Sequence, residues 1–96
     1  MASDKEYLDF IIEQLEGLEI TYRKMMGEYI IYCGGKIIGG VYDNRFLVKP
    51  TVSALKLLPN PHIESPYSGA KDMIAPDVDD GDSLKILVKL IADDIQ

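Results

Sequence analysis

Residues 29–42 read YIIYCGGKIIGGVY, two apolar, β-branched runs joined by a pair of glycines. Gly-Gly between two strand-like segments is a favoured two-residue hairpin loop, because glycine readily adopts positive φ angles. The stretch therefore predicts two antiparallel strands joined at Gly34-Gly35. Gly39-Gly40 falls inside the second strand pattern, where glycine is typical of a bulge or of a close approach by another backbone.

The same glycines, followed by Lys36, raise the alternative of a phosphate-binding loop. A P-loop requires Gly-Lys-Ser/Thr, whereas Ile37 follows Lys36 here. A dinucleotide-binding loop would place its glycines between a strand and a helix, not between two strands. The sequence therefore favours a turn over a ligand site, and no cofactor is expected.

Further strand patterns flank this hairpin. Aromatic and β-branched residues are concentrated in residues 21–25, 29–32, 36–38 and 45–49. Turn residues separate these runs at Gly27, Gly34-Gly35 and Asp43-Asn44. The region therefore predicts an antiparallel β-meander.

The chain after the meander has weaker signals. Pro50 closes the last strand pattern, and Thr51 is a candidate N-cap for a short helix over residues 52–58. Three prolines in residues 59–70 predict a loop with at most a short extended piece. Residues 71–75 are predicted to form one more strand, at an edge of the sheet.

Amphipathic helices are predicted at both ends of the chain. Ser3 and Glu6 have the spacing of a capping box, and an apolar stripe predicts a helix over residues 4–16, ended by Gly17. Residues 79–83 provide capping acids before a second apolar stripe, formed by Leu84, Leu87, Val88, Ile91 and Ile95. The predicted fold class is α+β: an antiparallel β-meander sheet with N- and C-terminal amphipathic helices.

Length and charge restrict the class of protein. The 96 residues correspond to one domain, predicted to span residues 1–96, with a net charge of −6. Residues 21–50 differ, since their five cations and two acids give a net charge of +3. Because an acidic chain is repelled by polyanions, direct nucleic-acid binding is not expected.

The location of the protein is predicted from what the sequence lacks. No apolar run approaches the roughly 18 residues of a membrane-spanning helix, so no membrane contact is expected. The acidic residues near the N-terminus do not suit a signal peptide, and the single cysteine fits a reducing compartment. A cytoplasmic protein is therefore expected.

Candidate chemical groups have simpler structural interpretations. Cys33 and His62 are single residues of their kinds with no catalytic signature around them, which favours a buried thiol and a solvated loop histidine. Residues 77–82, DVDDGD, lack the spacing and the final Glu of a calcium loop, which favours helix capping. No catalytic or metal-binding residues are therefore expected.

Two further groups have open alternatives. Strand tyrosines could stack on bases, but more commonly half-bury their rings. Met25 and Met26 are adjacent, so in a strand only one of them would face the core. Core filling is favoured over an exposed thioether that serves a partner.

The run Tyr22-Arg23-Lys24-Met25-Met26-Gly27-Glu28-Tyr29, continued by GKIIGGVYD at residues 35–43 and FLVK at 46–49, carries a family resemblance. It resembles the N-terminal domain of TfoX-type competence regulators, with Met26 where Phe is usual. The resemblance covers most of the chain. It implies an α-β3-α-β2-α order, similar to secretion chaperones, with helices on one side of an antiparallel sheet.

The resemblance also implies a function. The family is bacterial and linked to DNA uptake and the transcriptional regulation of competence genes, so we expect a non-enzymatic module, regulatory or competence-related, that acts through protein-protein contacts. Its small core favours self-association, and a homodimer is expected. The candidate partner surface consists of Arg23, Met25, Met26, Gly27 and Lys49. The alternatives are an acidic chaperone-like binder of a protein segment and, less favoured, a small-ligand enzyme that uses Cys33 or the basic central region.

Overall fold

The computed structural model describes residues 3–95; Met1, Ala2 and Gln96, which belong to the predicted 1–96 domain, lie outside the described residues. Six strands form one sheet in the order β1-β2-β3-β4-β6-β5, and all neighbouring pairs are antiparallel. This confirms the α+β prediction. The elements in chain order are α1 (Lys5–Gln14), β1 (Ile20–Met25), β2 (Glu28–Cys33), β3 (Lys36–Val41), β4 (Phe46–Val48), α2 (Val52–Leu57), β5 (Ile63–Glu64), β6 (Met73–Ile74) and α3 (Gly81–Asp94).

Two-residue turns join β1 to β4. Both residues of each turn have positive φ: 51° and 84° at Met26-Gly27, 58° and 81° at Gly34-Gly35, and 52° and 56° at Asp43-Asn44. Positive φ at both positions is the signature of type I′ turns, whose twist matches that of the flanking strands. The predicted turn positions are confirmed.

Gly39-Gly40 lies in β3, where the chain has no room for side chains. A β-carbon on Gly39 would overlap the carbonyl oxygen of Leu47 and lie 2.8 Å from the α-carbon of Val48. One on Gly40 would lie 2.6 Å from the carbonyl oxygen of Tyr29. The pairing of β2 with β3 also shifts register between Ile31 and Tyr32. Both structural features predicted at these glycines, a β-bulge and a close approach by a neighbouring backbone, are therefore present.

The three helices and one face of the sheet enclose the core. The fully buried side chains alternate along the central strands and recur along α1 and α3 at helical spacing. They include Leu8, Ile11, Leu15, Ile31, Ile38, Val41, Val48, Val88 and Ile91. The N-caps of the later helices are as predicted: Thr51 accepts from the amide of Ala54, and Asp80 from that of Ser83.

The predicted capping box at Ser3 and Glu6 is wrong. Asp4 is the N-cap residue of α1, without a side-chain cap. The Ser3 hydroxyl instead donates to the Glu28 carboxylate and accepts from the amide of Asn44. A distant carboxylate has therefore replaced the local partner. α1 ends at Gln14, earlier than predicted, although Gly17 does adopt a positive φ of 96°.

Two predictions about strands also need correction. The strand predicted within residues 71–75 exists as β6, but it lies between β4 and β5 and not at the edge. The meander has four strands, one more than the α-β3-α-β2-α order implied. The short extended piece expected in the proline-rich loop is β5. Within residues 3–95, no helix is long and apolar enough to cross a bilayer.

Gly39→Ala should destabilise the protein by about 3 kcal/mol, because β3 and β4 must separate to admit the methyl group. Gly69→Ala is the matched control: Gly69 has a φ of 87°, but its β-carbon would meet no atom within 4 Å. It should lose only about 1 to 2 kcal/mol through backbone strain. Urea unfolding measures both changes. Equal losses would show that steric contact at Gly39 is unimportant.

Candidate functional site

The helices cover one face of the sheet and leave the other without a covering layer. The register places Arg23 beside Ile30 and Thr21 beside Tyr32, on the face opposite the buried Ile31. Met25 and Ile37 are 51% and 40% exposed, while Ile30 and Tyr32 are half-buried. We call this surface the open face; it consists of Arg23, Met25, Ile30, Tyr32, Ile37, Tyr42 and Lys49.

The loop between β5 and β6 covers one end of the open face. Leu47 pairs with Gly40 and is fully buried, although it is outside the core cluster on the helix side. Pro66 and Tyr67 from the loop form a groove with Tyr42, Ile37 and Lys49. Burial, followed by the neighbouring Tyr67 and Glu28, raises the pKa of Tyr42. The groove therefore has two tyrosines in its lining, together with the charged residues Lys49, Lys71 and Asp72.

Arg45 holds this loop in place. Its guanidinium donates to the Glu64 carboxylate at 2.8 Å and to the carbonyls of Ser65 and Pro66 at 3.1 Å. Its Nε donates to the carbonyl of Tyr42, also at 3.1 Å. A planar, five-donor group suits such a divergent set of acceptors. Arg45, one of the five central cations, is therefore a structural residue.

The predicted partner-surface residues fall into two places. Arg23, Met25, Met26 and Gly27 lie together along β1 and its turn, whereas Lys49 follows β4. Three strand spacings separate β1 from β4, about 14 Å. Both places belong to one side of the sheet.

The prediction that one of the two methionines fills the core is wrong. Met25 is half-exposed and Met26 is 100% exposed, because β1 ends at Met25 and Met26 enters the turn. The Met26 backbone also has a φ of 51°, which disfavours a side chain with a β-carbon. An apolar side chain held out in a strained conformation is the kind of feature that marks contact surfaces.

The tips of the first and third turns are joined through Ser3 and Glu28. The Ser3 amide donates to the carbonyl of Gly27 at 3.0 Å. Glu28 accepts from the Ser3 hydroxyl and, at 2.9 Å, from the amide of Asp43. Gly27 is thus fixed at the end of β1, and Glu28 is committed to internal contacts.

The predicted turn at Gly34-Gly35 offers no free anion cradle. The amide of Gly34 donates to the carbonyl of Glu19 at 2.9 Å, and the Lys36 ammonium donates to the carbonyl of Ala92 at 3.2 Å. Ala92 lies in the last turn of α3, where a cation stabilises the helix end. These contacts support a structural role for the glycine-lysine run.

Cys33 and His62 lie in separate parts of the sheet. Cys33 is buried at the end of β2, and burial raises the pKa of its thiol. His62 precedes the edge strand β5 and contacts the Glu64 carboxylate at 3.0 Å. The structure therefore does not bring them together as a thiolate-imidazole pair.

The acidic run at residues 77–82 is used by the backbone. Asp77 accepts from the amide of Asp79 at 2.9 Å, and Asp80 caps α3. Among residues 3–95, no group of three or more His, Cys, Asp or Glu side chains is arranged to hold a metal ion.

The cations of the open face lack internal partners. Arg23 and Lys49 make no side-chain hydrogen bond or ion pair within residues 3–95, unlike Arg45 with Glu64 and Lys5 with Asp9. With Glu28 committed to Ser3 and Asp43, the open face presents an apolar, aromatic centre between unpaired cations. Such a surface suits a protein partner that covers the apolar centre and leaves the cations in contact with solvent or with acidic groups.

Sequence reasoning missed the loop that completes this surface. From the sequence, Tyr67 is only one residue of a predicted proline-rich loop. No residue near Arg45 in the sequence indicates that its side chain holds this loop against β3 and β4. The Pro66-Tyr67 pair, an aromatic beside a turn residue, was the only signal.

Comparison with known proteins identifies a relative of this chain but does not indicate a function for it. No family model matches the chain, and no solved structure matches it significantly. The chain is 41% identical over 80 residues to the uncharacterized 12.7 kDa protein in the trpE 5′ region of Spirochaeta aurantia. The match covers 81% of this chain and 70% of the relative. The chain therefore belongs to the family of that protein.

Met26→Asn should stabilise the protein by about 1 kcal/mol, because asparagine tolerates positive φ and Asn-Gly is a preferred type I′ turn. Met25→Asn is the control, since position 25 ends a strand, where asparagine is unfavourable. Thermal and urea unfolding measure both. A loss of stability in Met26→Asn would show that the methionine side chain has a structural role.

Glu64 should contribute to the loss of stability at acid pH. The hydrogen bond from Arg45 is the largest cause that lowers the pKa of Glu64 from 4.5, with a further contribution from His62. Glu64 has a lower pKa in the folded protein than in the unfolded chain. Its contribution to the unfolding free energy is therefore fully present above the unfolded-state pKa and is lost as the pH falls through the folded-state pKa. Glu64→Gln should therefore flatten the pH dependence of the unfolding free energy between about pH 5 and pH 3.

The matched control is Glu16→Gln, an exposed carboxylate with no hydrogen bond among the described residues. Its urea-unfolding profile across the same pH range should parallel the wild type. A Glu64→Gln profile that also parallels the wild type would contradict the role of the Arg45 contact.

Proposed function

We propose that the protein is a non-enzymatic protein-interaction module of the TfoX N-terminal type, acting in a bacterial regulatory or competence-related setting. The observation that carries this proposal is the open face: a sheet surface with exposed Met25 and Ile37, half-buried aromatics and unpaired cations. Surfaces of this kind in small domains are typical of interaction sites. Of the positions that carry the resemblance, Arg23, Met25 and Lys49 belong to this surface and Gly27 lies in the turn beside it.

The proposed first partner is a second copy of the chain. Packing two open faces together would cover the apolar side chains that the helices leave exposed. Such a sheet-on-sheet arrangement is common where each sheet has one uncovered apolar face. The unpaired cations at the rim would remain in contact with solvent.

A second candidate function is that of an acidic chaperone-like binder of a protein segment. It is favoured by a groove between α2 and α3, on the other side of the molecule. Leu57, Leu58, Pro76, Ile86 and Leu87 contribute its apolar lining, and Leu57 and Ile86 are exposed. An apolar groove between helices suits a short amphipathic segment.

Ile37→Lys distinguishes these surfaces. If two open faces pack together, the wild type should associate with a dissociation constant of about 1 to 100 µM, and Ile37→Lys should weaken it at least about tenfold. Ile86→Lys, in the α2–α3 groove, is the matched control and should leave association unchanged. Sedimentation equilibrium over a dilution series measures both. A monomer at every concentration would contradict the proposed homodimer. If Ile86→Lys weakens association and Ile37→Lys does not, the dimer contact lies in the α2–α3 groove.

A further inference from the structure

The two edges of the sheet differ in length. β5, at one edge, has two residues, Ile63 and Glu64, whereas β1, at the other, has six. Short edge strands are one way in which proteins prevent unwanted pairing. Five of the six β1 residues are exposed. β1 is therefore the edge at which another strand has space to bind.

The turn geometry identifies the free backbone groups of β1. A two-residue turn makes Met25 and Glu28 a hydrogen-bonded pair, and bonded and non-bonded pairs then alternate along the strands. The bond from the Gly34 amide to the Glu19 carbonyl, at 2.9 Å, fits this alternation. The N–H and C=O groups of Tyr22 and Lys24 consequently point to the free edge. Within residues 3–95 no other element bonds to them.

The charge of this edge is positive on both faces. Arg23 and Lys24 are consecutive, so their side chains lie on opposite faces of the sheet. Neither makes an ion pair or a side-chain hydrogen bond within the described chain, and β1 contains no acid. In a chain of net charge −6, these are unpaired cations in the centre of the free strand.

We infer that the free edge of β1 binds an extended acidic segment of another protein, which adds a seventh strand to the sheet. The inference goes beyond the proposed function, because it concerns the edge and not the packing of open faces. The segment would pair its backbone with Tyr22 and Lys24, and the side chains opposite would determine specificity. Two consecutive acids would lie opposite Lys24 and Arg23, one on each face. The two acids would be flanked in the segment by apolar residues, one opposite Met25 and one opposite Tyr22.

A second copy of the chain is a poorer occupant of this edge. In a symmetric dimer, β1 would pair antiparallel with β1 of the second copy, and residues that face each other would lie on the same face of the sheet. Two such registers are centred on the middle of the strand. One places Arg23 directly opposite Arg23 of the other copy. The other places Tyr22 opposite Tyr22 and leaves the two arginines diagonal neighbours, about 7 to 8 Å apart. The first register supplies no acid. In the second, Glu19 of the other copy is also diagonal to Arg23, but Lys24 then lies opposite Ile20. Only an acidic segment places an acid directly opposite each of the two cations.

The test uses two short capped peptides and the 96-residue chain. One has the sequence Thr-Val-Glu-Glu-Val-Thr, and the other replaces both glutamates with lysine. Titration followed by amide NMR should show the acidic peptide shifting Tyr22 and Lys24 and slowing their hydrogen exchange. Binding should weaken by roughly tenfold on going from low to high salt, because exposed charges are screened. The lysine peptide should not bind.

Charge reversal supplies the decisive variant. Arg23→Glu combined with Lys24→Glu should exchange the preference, so that the lysine peptide binds and the acidic one does not. Lys71→Glu, an exposed cation on the β5–β6 loop, is the matched control and should keep the wild-type preference. If the doubly reversed variant does not fold, the Arg23→Gln and Lys24→Gln pair should abolish the preference instead.

Several outcomes would overturn the inference. Equal binding of both peptides, or no binding of either, would remove charge recognition at this edge. Shifts confined to Ile37 or to the α2–α3 groove would place the segment elsewhere. A single-stranded oligonucleotide that competes through Arg23 and Lys24 would indicate a polyanion site. Because Ile37→Lys does not alter β1, failure of open-face dimerisation would leave the peptide result unaffected. Failure of the acidic peptide to bind the wild type would likewise leave the dimerisation test, which depends on Ile37, unaffected.

Discussion

The sheet depends on direct contact between the backbone of β3 and the strands on both sides of it. Gly39 lies against the backbone of Leu47 and Val48, and Gly40 lies against the carbonyl of Tyr29. Any side chain at either position would separate strands that share the core. β3 is the second of the two strands that the Gly34-Gly35 turn joins, so a loss of contact there would affect every later strand pairing.

The same glycines shape the open face. The ring of Tyr42 lies only 2.8 Å from the position that a β-carbon on Gly40 would occupy, which leaves no room for one. Tyr42 is therefore packed down on the strand, where it lines one groove with Pro66 and Tyr67 of the β5–β6 loop. Arg45 then ties the loop to the β3–β4 turn. A requirement of strand packing thus produces a groove between Tyr42 and Tyr67 on the surface proposed for partner contact.

The features predictable from the sequence were those set by neighbouring residues. Turn glycines, the stripes of α1 and α3, and the caps at Thr51 and Asp80 depend on residues within a few positions of each other. The wrong predictions concern residues whose partners are distant in the sequence and not nearby. Ser3 had a nearby partner in Glu6 but binds Glu28, and β6 was placed at an edge because its partner β5 has only two residues. Met26 was misassigned because type I′ geometry at Met26-Gly27 requires an exposed residue with positive φ, whatever its side chain.

Charge and edge length together distinguish the two ends of the sheet. At the β5 edge, the Glu64 carboxylate is neutralised by Arg45, and proline-containing segments flank the short strand. At the β1 edge, the cations are unpaired and the strand is long. Cations on an edge strand also oppose pairing with identical chains, since every copy brings the same charge. Protection against self-pairing and recognition of an acidic segment are therefore two consequences of one arrangement. The cations that repel a second β1 are those that attract a strand of the opposite charge, so the edge can remain open without polymerising.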